Sequence, residues 1–201
     1  MQKLYLASSS SWRLELLRNA GLQVEAISPN VDEDAIFDPD PIRVAMLRAE
    51  AKAVVVHQKV EKNSLVIGAD QVIYLDGKLY GKPKNQQEWL QRLLVFRGET
   101  HLLTTAVSFR SVNVNKSFFA TTKIHFRDDI SDAELEAYVN HGEARYCAGG
   151  YMVEKLGGWM IKSIEGDWLN VVGLPMFKIL DALRECGWNM CTVTTGERVH
   201  G

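Results

Sequence analysis

The sequence contains few cysteines, no excess of basic residues and no long apolar run. Its three cysteines, Cys147, Cys186 and Cys191, form neither a C-x-x-C pair nor a metal-binding spacing with histidine. Such a sparse, odd number is typical of inert thiols in a reducing compartment. The formal net charge of −2 argues against a general nucleic-acid-binding protein, which usually carries a basic excess. We therefore expect no polymeric nucleic acid as a partner, although a few local cations would still bind a small anion.

Membrane-spanning and secretory patterns are missing as well. No apolar run approaches the length that crosses a bilayer, and residues 1–6 lack the long apolar region of a signal peptide. We therefore expect a cytoplasmic protein without a membrane partner. With 46% hydrophobic residues, the 201-residue chain can bury a core of ordinary size, as one large domain or a two-lobed one.

Strand and helix patterns alternate along the chain, which predicts an α/β fold. The predicted strands lie at 4–7, 24–27, 65–74 and 159–164, with two long strands within 101–127. The predicted helices begin near Trp12, Pro41, Trp89, Ser131 and Pro175. We expect a mixed twisted sheet with helices on its faces, in two lobes around a central cleft. Residues 1–190 would form this single domain, and residues 191–201 a polar tail that is a candidate for disorder.

Asp70 and Lys82 are the strongest single candidates for chemistry. Asp70 follows the apolar pattern Leu65–Ala69, which places a carboxylate at a strand end, where α/β sheets bind ligands. Lys82 stands between Gly81 and Pro83, and this context indicates a required backbone direction. A purely structural role, such as a cap or a turn, is the alternative for both residues.

Four consecutive serines, residues 8–11, separate the first strand from the first helix. The N–H groups at a helix start are free donors, and small side chains let a phosphate approach them closely. Arg13 lies in the first turn, where a cation is unfavourable for the helix itself. The pattern therefore makes an anionic partner a candidate, although these features alone favour a serine N-cap and a solvated arginine.

Glu33 and Lys52 gain weight only in combination with the other candidates. Glu33 is one of several acids in a polar loop, and Lys52 lies beside the apolar stripe of the second helix, so each alone is ordinary for a solvated side chain. Glu33 and Asp70 together can hold a divalent cation and orient a water molecule. Lysine and arginine side chains can neutralise phosphate charge as it builds up. This set predicts in-line attack of water on phosphorus.

Seven short motifs occur in the order found in one protein family. They are Leu6–Ser10 with Arg13, Val31–Glu33, Ala51–Ala53, Gly68–Asp70, Gly81–Pro83, Cys147–Gly149 and Asn170–Pro175. From about Leu4 to Leu183, the chain resembles the Maf family of nucleoside triphosphate pyrophosphatases. The resemblance implies a Maf/inosine triphosphatase-like fold and a house-cleaning hydrolase that converts a nucleoside triphosphate to the monophosphate and pyrophosphate. It also implies a divalent cation (Mg, Mn or Co) and a homodimer.

The resemblance also assigns roles to residues of this chain. The residues that would bind the phosphates or the substrate are Ser8, Ser9, Arg13, Lys52, Lys82 and Glu154. Glu33 and Asp70 would serve the metal and the attacking water, with Asp70 as the general base.

Some motif residues are similar to the branch of the family that hydrolyses 7-methyl-GTP. They are Asp70–Val72, His125–Arg127, and Cys147–Gly149 with Glu154, where the other branch usually carries Gln. A carboxylate suits a guanine that methylation at N7 has made cationic. Two departures from the family are Ser11, where Pro is common, and Leu14, where a second Arg is common. Loss of one cation would weaken phosphate binding by about 1 kcal/mol.

Two other functions stay open at this point. One is a nucleotide-binding regulator of cell division with little or no turnover, which the Leu14 departure favours. The other is a different phosphohydrolase on a similar scaffold. A nucleotide pyrophosphatase that removes a non-standard or methylated nucleotide is the function that the motifs favour.

Overall fold

The computed structural model describes residues 2–195, which form a mixed α/β structure. The strands in this part of the chain are β1 (Leu4–Ala7), β2 (Val24–Ala26), β3 (Leu65–Leu75), β4 (Lys78–Tyr80), β5 (Thr100–Arg110), β6 (Asn115–Phe126) and β7 (Ile161–Glu165). The helices are α1 (Ser11–Asn19), α2 (Pro41–His57), α3 (Gln86–Phe96), α4 (Asp132–His141), α5 (Trp168–Val172), α6 (Met176–Glu185) and α7 (Met190–Thr195). None of the helices within residues 2–195 combines the length and apolar character needed to cross a bilayer.

All seven strands belong to one sheet with the order β2-β1-β3-β5-β6-β7, and β4 pairs with β3 outside this path. β1 runs parallel to both β2 and β3, because a helix crosses over between each successive pair of these strands. β4 and β7 run antiparallel to β3 and β6. The sheet is therefore mixed, and the fold class predicted from the sequence is confirmed.

The chain divides into two compact units. Unit 1 comprises the described parts of residues 1–70, 105–119 and 173–201, and unit 2 comprises residues 71–104 and 120–172. The central cleft expected from the sequence stays a prediction. Each unit has its own core, and each carries some of the candidate site residues.

In unit 1, helix α2 packs closely on strands β1 and β3. Tyr5 and Val66 lie in the same buried cluster as Ala53 and Val56 of the helix. Gly68 permits this approach, since a Cβ atom there would lie 2.2 Å from the backbone oxygen of Ala49. Any larger residue would push the helix away from the strand.

In unit 2, the core is built from aromatic side chains around α3. Phe96 stacks on the fully buried His101 with a centroid distance of 4.5 Å, and its ring contacts Phe126 edge-on. The Tyr151 hydroxyl oxygen and His101 Nε2 share a hydrogen bond of 2.7 Å. These contacts tie the loop before β7 to the sheet.

Local sequence signals predicted most helix and strand boundaries correctly. One of these signals is the capping box of Ser131 and Glu134, at which α4 begins. Two expectations were wrong. Strand β7 begins at Ile161 rather than Trp159, because Leu156–Met160 forms a 3₁₀ turn. The helix after Pro175 is also not the last one in the described chain.

Residues at the start of the predicted polar tail are helical instead. Asn189 and Thr192 cap α7 reciprocally: the Thr192 N–H donates to Asn189 Oδ1 at 3.1 Å, and the Asn189 N–H donates to Thr192 Oγ1 at 2.8 Å. The rest of that tail, residues 196–201, lies outside the described residues.

Candidate active site

Lys52 joins two carboxylates at the centre of the candidate site in unit 1. Its Nζ lies 2.7 Å from Asp70 Oδ1 and 2.9 Å from Glu33 Oε1. The side chains of Lys52 and Asp70 are only 7% and 6% exposed, whereas that of Glu33 is 41% exposed. A buried ammonium group thus holds two acids that lie far apart in sequence.

The burial of Lys52 follows from how α2 packs. The helix starts with Asp40, whose Oδ1 accepts the N–H of Ile42, and with Pro41 at its first position. Lys52 precedes the buried Ala53, next to the point where Gly68 lets the helix touch β3. Lys52 therefore belongs to the buried face of the helix, and its interpretation as a solvated surface lysine was wrong.

Asp70 lies in the middle of β3, so its predicted position at the end of the strand was wrong. The parallel partner β1 ends at Ala7, which pairs with Gly68. Asp70 is therefore two residues beyond the end of that pairing, while β3 continues to Leu75. Its Oδ1 accepts from Lys52, and its buried Oδ2 has no hydrogen-bond partner among residues 2–195.

The loop that carries Glu33 is held against α2. The Ile36 N–H donates to the carbonyl of Glu33, and Arg48 Nη2 donates to the carbonyl of Ile36 at 3.3 Å. Asp32 Oδ1 accepts from the N–H groups of Asp34 and Ala35. Arg48 thus fixes the segment that presents Glu33 to Lys52.

The serine segment forms the turn between β1 and α1. Ser10 is the N-cap of α1 and accepts the N–H of Arg13, while the buried Ser8 accepts the N–H of Ser10 at 3.1 Å. Ser9 is exposed. The serine N-cap predicted as an alternative is present, and Ser8 is a second, buried hydroxyl in the same turn.

Arg13 is not a solvated arginine. Its Nη1 donates to the carbonyl of Ala69 at 2.8 Å, and its Nε donates to the carbonyl of Gly173 at 3.2 Å. Burial lowers the pKa of Arg13, and the charges of Asp70 and Glu33 oppose that shift. The guanidinium group is therefore a fixed cation next to the residue that precedes Asp70.

In unit 2, Lys82 follows a tightly held backbone position. The Gly81 carbonyl accepts from Arg92 Nη1 at 2.5 Å and from the N–H of Gly149 at 3.1 Å. Arg92 is buried and also donates to Glu88 at 2.7 Å. The Lys82 side chain itself is exposed. The backbone next to Lys82 is therefore fixed by hydrogen bonds, and a required direction for the lysine itself stays a prediction.

Glu154 lies in the same unit as Lys82 and is half-buried. Burial raises the pKa of Glu154. Both residues act electrostatically on Cys147, whose pKa is raised to about 11 mainly by burial, then by Glu154, with Lys82 opposing the shift. Lys82 and Glu154 thus both lie near this thiol.

The described site residues therefore fall into two sets. Unit 1 contains Ser8, Ser9, Arg13, Glu33, Lys52 and Asp70, and unit 2 contains Lys82 and Glu154. That both sets line one pocket stays a prediction.

Comparison with known families decides where this chain belongs. The family described as "Maf-like protein" matches residues 3–186. The chain belongs to the Maf family. The resemblance found in the sequence motifs is thereby confirmed.

Individual relatives of this Maf-family chain are enzymes by name. A "Nucleoside triphosphate pyrophosphatase" of Prochlorococcus marinus is 40% identical over 172 residues, which is 85% of this chain and 93% of the relative. A "dTTP/UTP pyrophosphatase" of Thermoanaerobacter pseudethanolicus is 36% identical over 184 residues, or 90% and 95% of the two chains. The solved structure of the Staphylococcus aureus Ham1 protein is 16% identical in sequence and superposes with a TM-score of 0.48. The alignment covers 92% of this chain and 99% of the Ham1 chain.

Three residues of this Maf-family chain were missed as parts of the site's support. Arg92 holds the backbone near Lys82, and Arg48 holds the backbone near Glu33. Of these two roles, only that of Arg92 had a local sequence signal, which is its i,i+4 spacing from Glu88. Asn170 lies in a recognised motif but received no role. Its fully buried side-chain amide donates from Nδ2 to Thr122 Oγ1 at 3.0 Å, and its backbone carbonyl accepts from Gln71 Nε2 at 2.9 Å.

The donors around Lys52 fit a hard divalent cation. Mg²⁺ usually binds through one or two carboxylates, together with water and substrate phosphates. Asp70 supplies a buried carboxylate oxygen that has no partner among residues 2–195, and Glu33 supplies a partly exposed one. Within those residues, no group of three or more His, Cys, Asp or Glu side chains is placed to hold a metal ion.

Proposed function

We propose that this chain hydrolyses a nucleoside triphosphate to the nucleoside monophosphate and pyrophosphate, with unit 1 supplying the reacting groups. The observation that carries the proposal is the buried Lys52 ammonium that joins Glu33 and Asp70, with Arg13 beside them. Relatives named as nucleoside triphosphate pyrophosphatases show the enzyme class, a hydrolase that acts on acid anhydrides.

Asp70 is the proposed general base. Its Oδ2 would take a proton from water as the water oxygen attacks the α-phosphorus. The bond from that phosphorus to the bridging oxygen breaks, and its electron pair leaves with pyrophosphate. Without nucleotide, Lys52 contacts Oδ1 and so fixes the direction of the carboxylate, and its charge would lie next to the reacting phosphate when the substrate binds.

The other cations and hydroxyls would bind the phosphate chain. Arg13 is fixed by two backbone carbonyls, so it offers its charge with little loss of side-chain freedom. Ser8 and Ser9 lie in the turn before α1, whose N-terminus favours an anion. Lys82 is proposed as a further phosphate-binding cation.

Glu33 and Asp70 are the residues that would hold the divalent cation, Mg, Mn or Co. When bound, this cation would polarise a phosphoryl oxygen and make bound water more acidic. A cytoplasmic location and a homodimer stay predictions.

Two bases are candidates for the nucleotide. The motif residues of this chain favour 7-methyl-GTP, and a half-buried carboxylate at Glu154 suits a cationic base. A pyrimidine triphosphate is the second candidate, because a relative with 36% identity carries the name dTTP/UTP pyrophosphatase.

The test is a panel of 7-methyl-GTP, GTP, dTTP and UTP, each incubated with the protein and Mg²⁺ or Mn²⁺. Monophosphate together with pyrophosphate is the expected result, and the fastest substrate identifies the base. Release of orthophosphate would favour a different phosphohydrolase. Tight binding of a triphosphate without turnover would favour the nucleotide-binding regulator of cell division.

A further inference from the structure

Lys52 contacts one oxygen of each of the two carboxylates that would hold a metal ion. Its ammonium group contacts both Asp70 Oδ1 and Glu33 Oε1, at 2.7 and 2.9 Å. We propose that Lys52 keeps free metal ions out of the nucleotide-free enzyme, so that a divalent cation enters only together with a triphosphate. This inference rests on the proposed function and concerns the order of binding at the same site.

The local charge supports this order. Glu33 and Asp70 contribute two negative charges, and Lys52 and Arg13 contribute two positive ones. The charges of both carboxylates act on Arg13, so the four groups form one electrostatic cluster. Because their formal charges cancel, this cluster offers little net attraction to a free divalent cation.

Displacing Lys52 would be costly in the nucleotide-free enzyme. A metal ion that takes Asp70 Oδ1 or Glu33 Oε1 competes with an ammonium group whose side chain is 7% exposed. The displaced ammonium would then be buried without an anion, which is strongly unfavourable. The buried Oδ2 of Asp70 has no hydrogen-bond partner within residues 2–195, but the Lys52 charge lies beside any metal ion that would bind it.

A triphosphate removes this obstacle. Its anionic oxygens give Lys52 and Arg13 new partners, and the two carboxylates are then available to the metal. The metal in turn neutralises the charge that the triphosphate brings. Each ligand therefore raises the affinity for the other, and by linkage the two effects are equal.

The decisive experiment measures Mn²⁺ binding without nucleotide, by isothermal titration calorimetry and by electron paramagnetic resonance of free Mn²⁺. We compare wild type, Lys52→Met, Lys52→Met combined with Asp70→Asn, and Lys59→Met. Lys59 is an exposed lysine just beyond α2 and serves as the matched control. Lys52→Met should bind Mn²⁺ about tenfold more tightly than wild type, or better. The Asp70→Asn change should abolish this gain, and Lys59→Met should behave as wild type.

Equal Mn²⁺ affinity in wild type and Lys52→Met would overturn the inference. Circular dichroism checks that each variant is folded. If a variant does not fold, thermal melts of the wild type still test ordered entry. Mn²⁺ alone should leave the wild-type melting temperature unchanged, whereas Mn²⁺ with α,β-methylene-UTP or α,β-methylene-GTP should raise it. A clear shift with Mn²⁺ alone contradicts ordered entry.

These readouts are separate from hydrolysis. A wild type that releases pyrophosphate but binds Mn²⁺ tightly without nucleotide would refute ordered entry and leave the proposed function standing. Absence of pyrophosphate release from every triphosphate would refute the function itself, whatever the Mn²⁺ titrations show.

Discussion

Lys52 and Asp70 form a buried ion pair, with Nζ 2.7 Å from Oδ1, although 18 residues separate them in sequence. Removal of one partner from such a pair leaves an uncompensated buried charge, which usually destabilises a protein by about 3–5 kcal/mol. A substitution at Asp70 that is assayed for activity must therefore keep a polar group of the same size. Otherwise a loss of activity could not be separated from a loss of folded protein.

Asp70→Asn meets this requirement. The amide oxygen can still accept from Lys52, but the side chain no longer takes a proton from water. We expect the turnover number to fall by about 10²–10⁴, with the fold intact by circular dichroism. Steady-state release of pyrophosphate from the best triphosphate measures the effect.

Asp76→Asn is the matched control for that change. Asp76 lies in the exposed turn between β3 and β4 with a φ of 47°, a conformation that Asn tolerates well. Its turnover should equal that of wild type. Near-normal turnover in Asp70→Asn would remove this residue from the mechanism.

Glu154→Gln should change the choice of base more than the rate. A neutral amide no longer favours a cationic base, so kcat/KM for 7-methyl-GTP should fall relative to dTTP and UTP by about tenfold. The measurement is kcat/KM for each triphosphate in the panel. Glu136→Gln, on the exposed face of α4, is the control. An unchanged substrate profile in Glu154→Gln would argue against a role in recognising the base.

Arg92→Met tests a positioning residue in unit 2. Arg92 donates to the carbonyl next to Lys82, so its loss should loosen that loop and lower kcat/KM by about 10- to 100-fold. Because Lys82 is expected to bind phosphate, KM should rise more than kcat falls, and Arg92→Lys should recover part of the loss.

Glu88→Gln is the control for Arg92. It removes the charge partner but leaves the bond from Arg92 to the Gly81 carbonyl in place. Its KM should stay close to that of wild type. Arg92 would only support the fold if Arg92→Met and Glu88→Gln changed kcat and KM to the same extent and both lowered the melting temperature.

His101 predicts a pH dependence of stability. Burial lowers its pKa to about 3, with a smaller effect from His125, whereas the unfolded chain keeps an ordinary value near 6.5. The unfolded state therefore binds more protons below pH 6.5. Above pH 6.5, His101 is neutral in both states and does not lower the free energy of unfolding. Between pH 6.5 and pH 3, protonation of the unfolded chain lowers that free energy by about 1.4 kcal/mol per pH unit.

Urea unfolding between pH 7 and pH 4 measures this slope. His101→Gln should have a flatter dependence of the unfolding free energy on pH than wild type, because its amide does not titrate. His141→Asn, at the exposed end of α4, should keep the wild-type slope. Parallel slopes in wild type and His101→Gln would contradict the prediction.

Much of the fold could be predicted because its signals are local. The helix starts at Pro41 and near Ser131 each depend on a few neighbouring residues, namely the N-cap Asp40 and the capping box of Ser131 and Glu134. Strand β7 was misplaced because apolar periodicity does not distinguish a 3₁₀ turn over Leu156–Met160 from an extended chain.

The site was only partly predictable, because its decisive features depend on distant contacts. Asp70 and Lys82 were conspicuous in sequence, since apolar or turn-forming residues surround them. The burial of Lys52 depends on the approach of α2 to β3, and the fixed position of Arg13 depends on carbonyls of Ala69 and Gly173. Hydrophobic patterns carry no information about such pairings.

Gly68 connects the architecture of the sheet to the electrostatics of the reaction centre. A methyl group at this position would meet the helix backbone at 2.2 Å, so the helix would have to retreat and carry Lys52 away from Asp70. The absence of a side chain at Gly68 thus allows Lys52 to lie close to Asp70. Evolution can therefore retune this pair through an uncharged residue, without replacing either charged one.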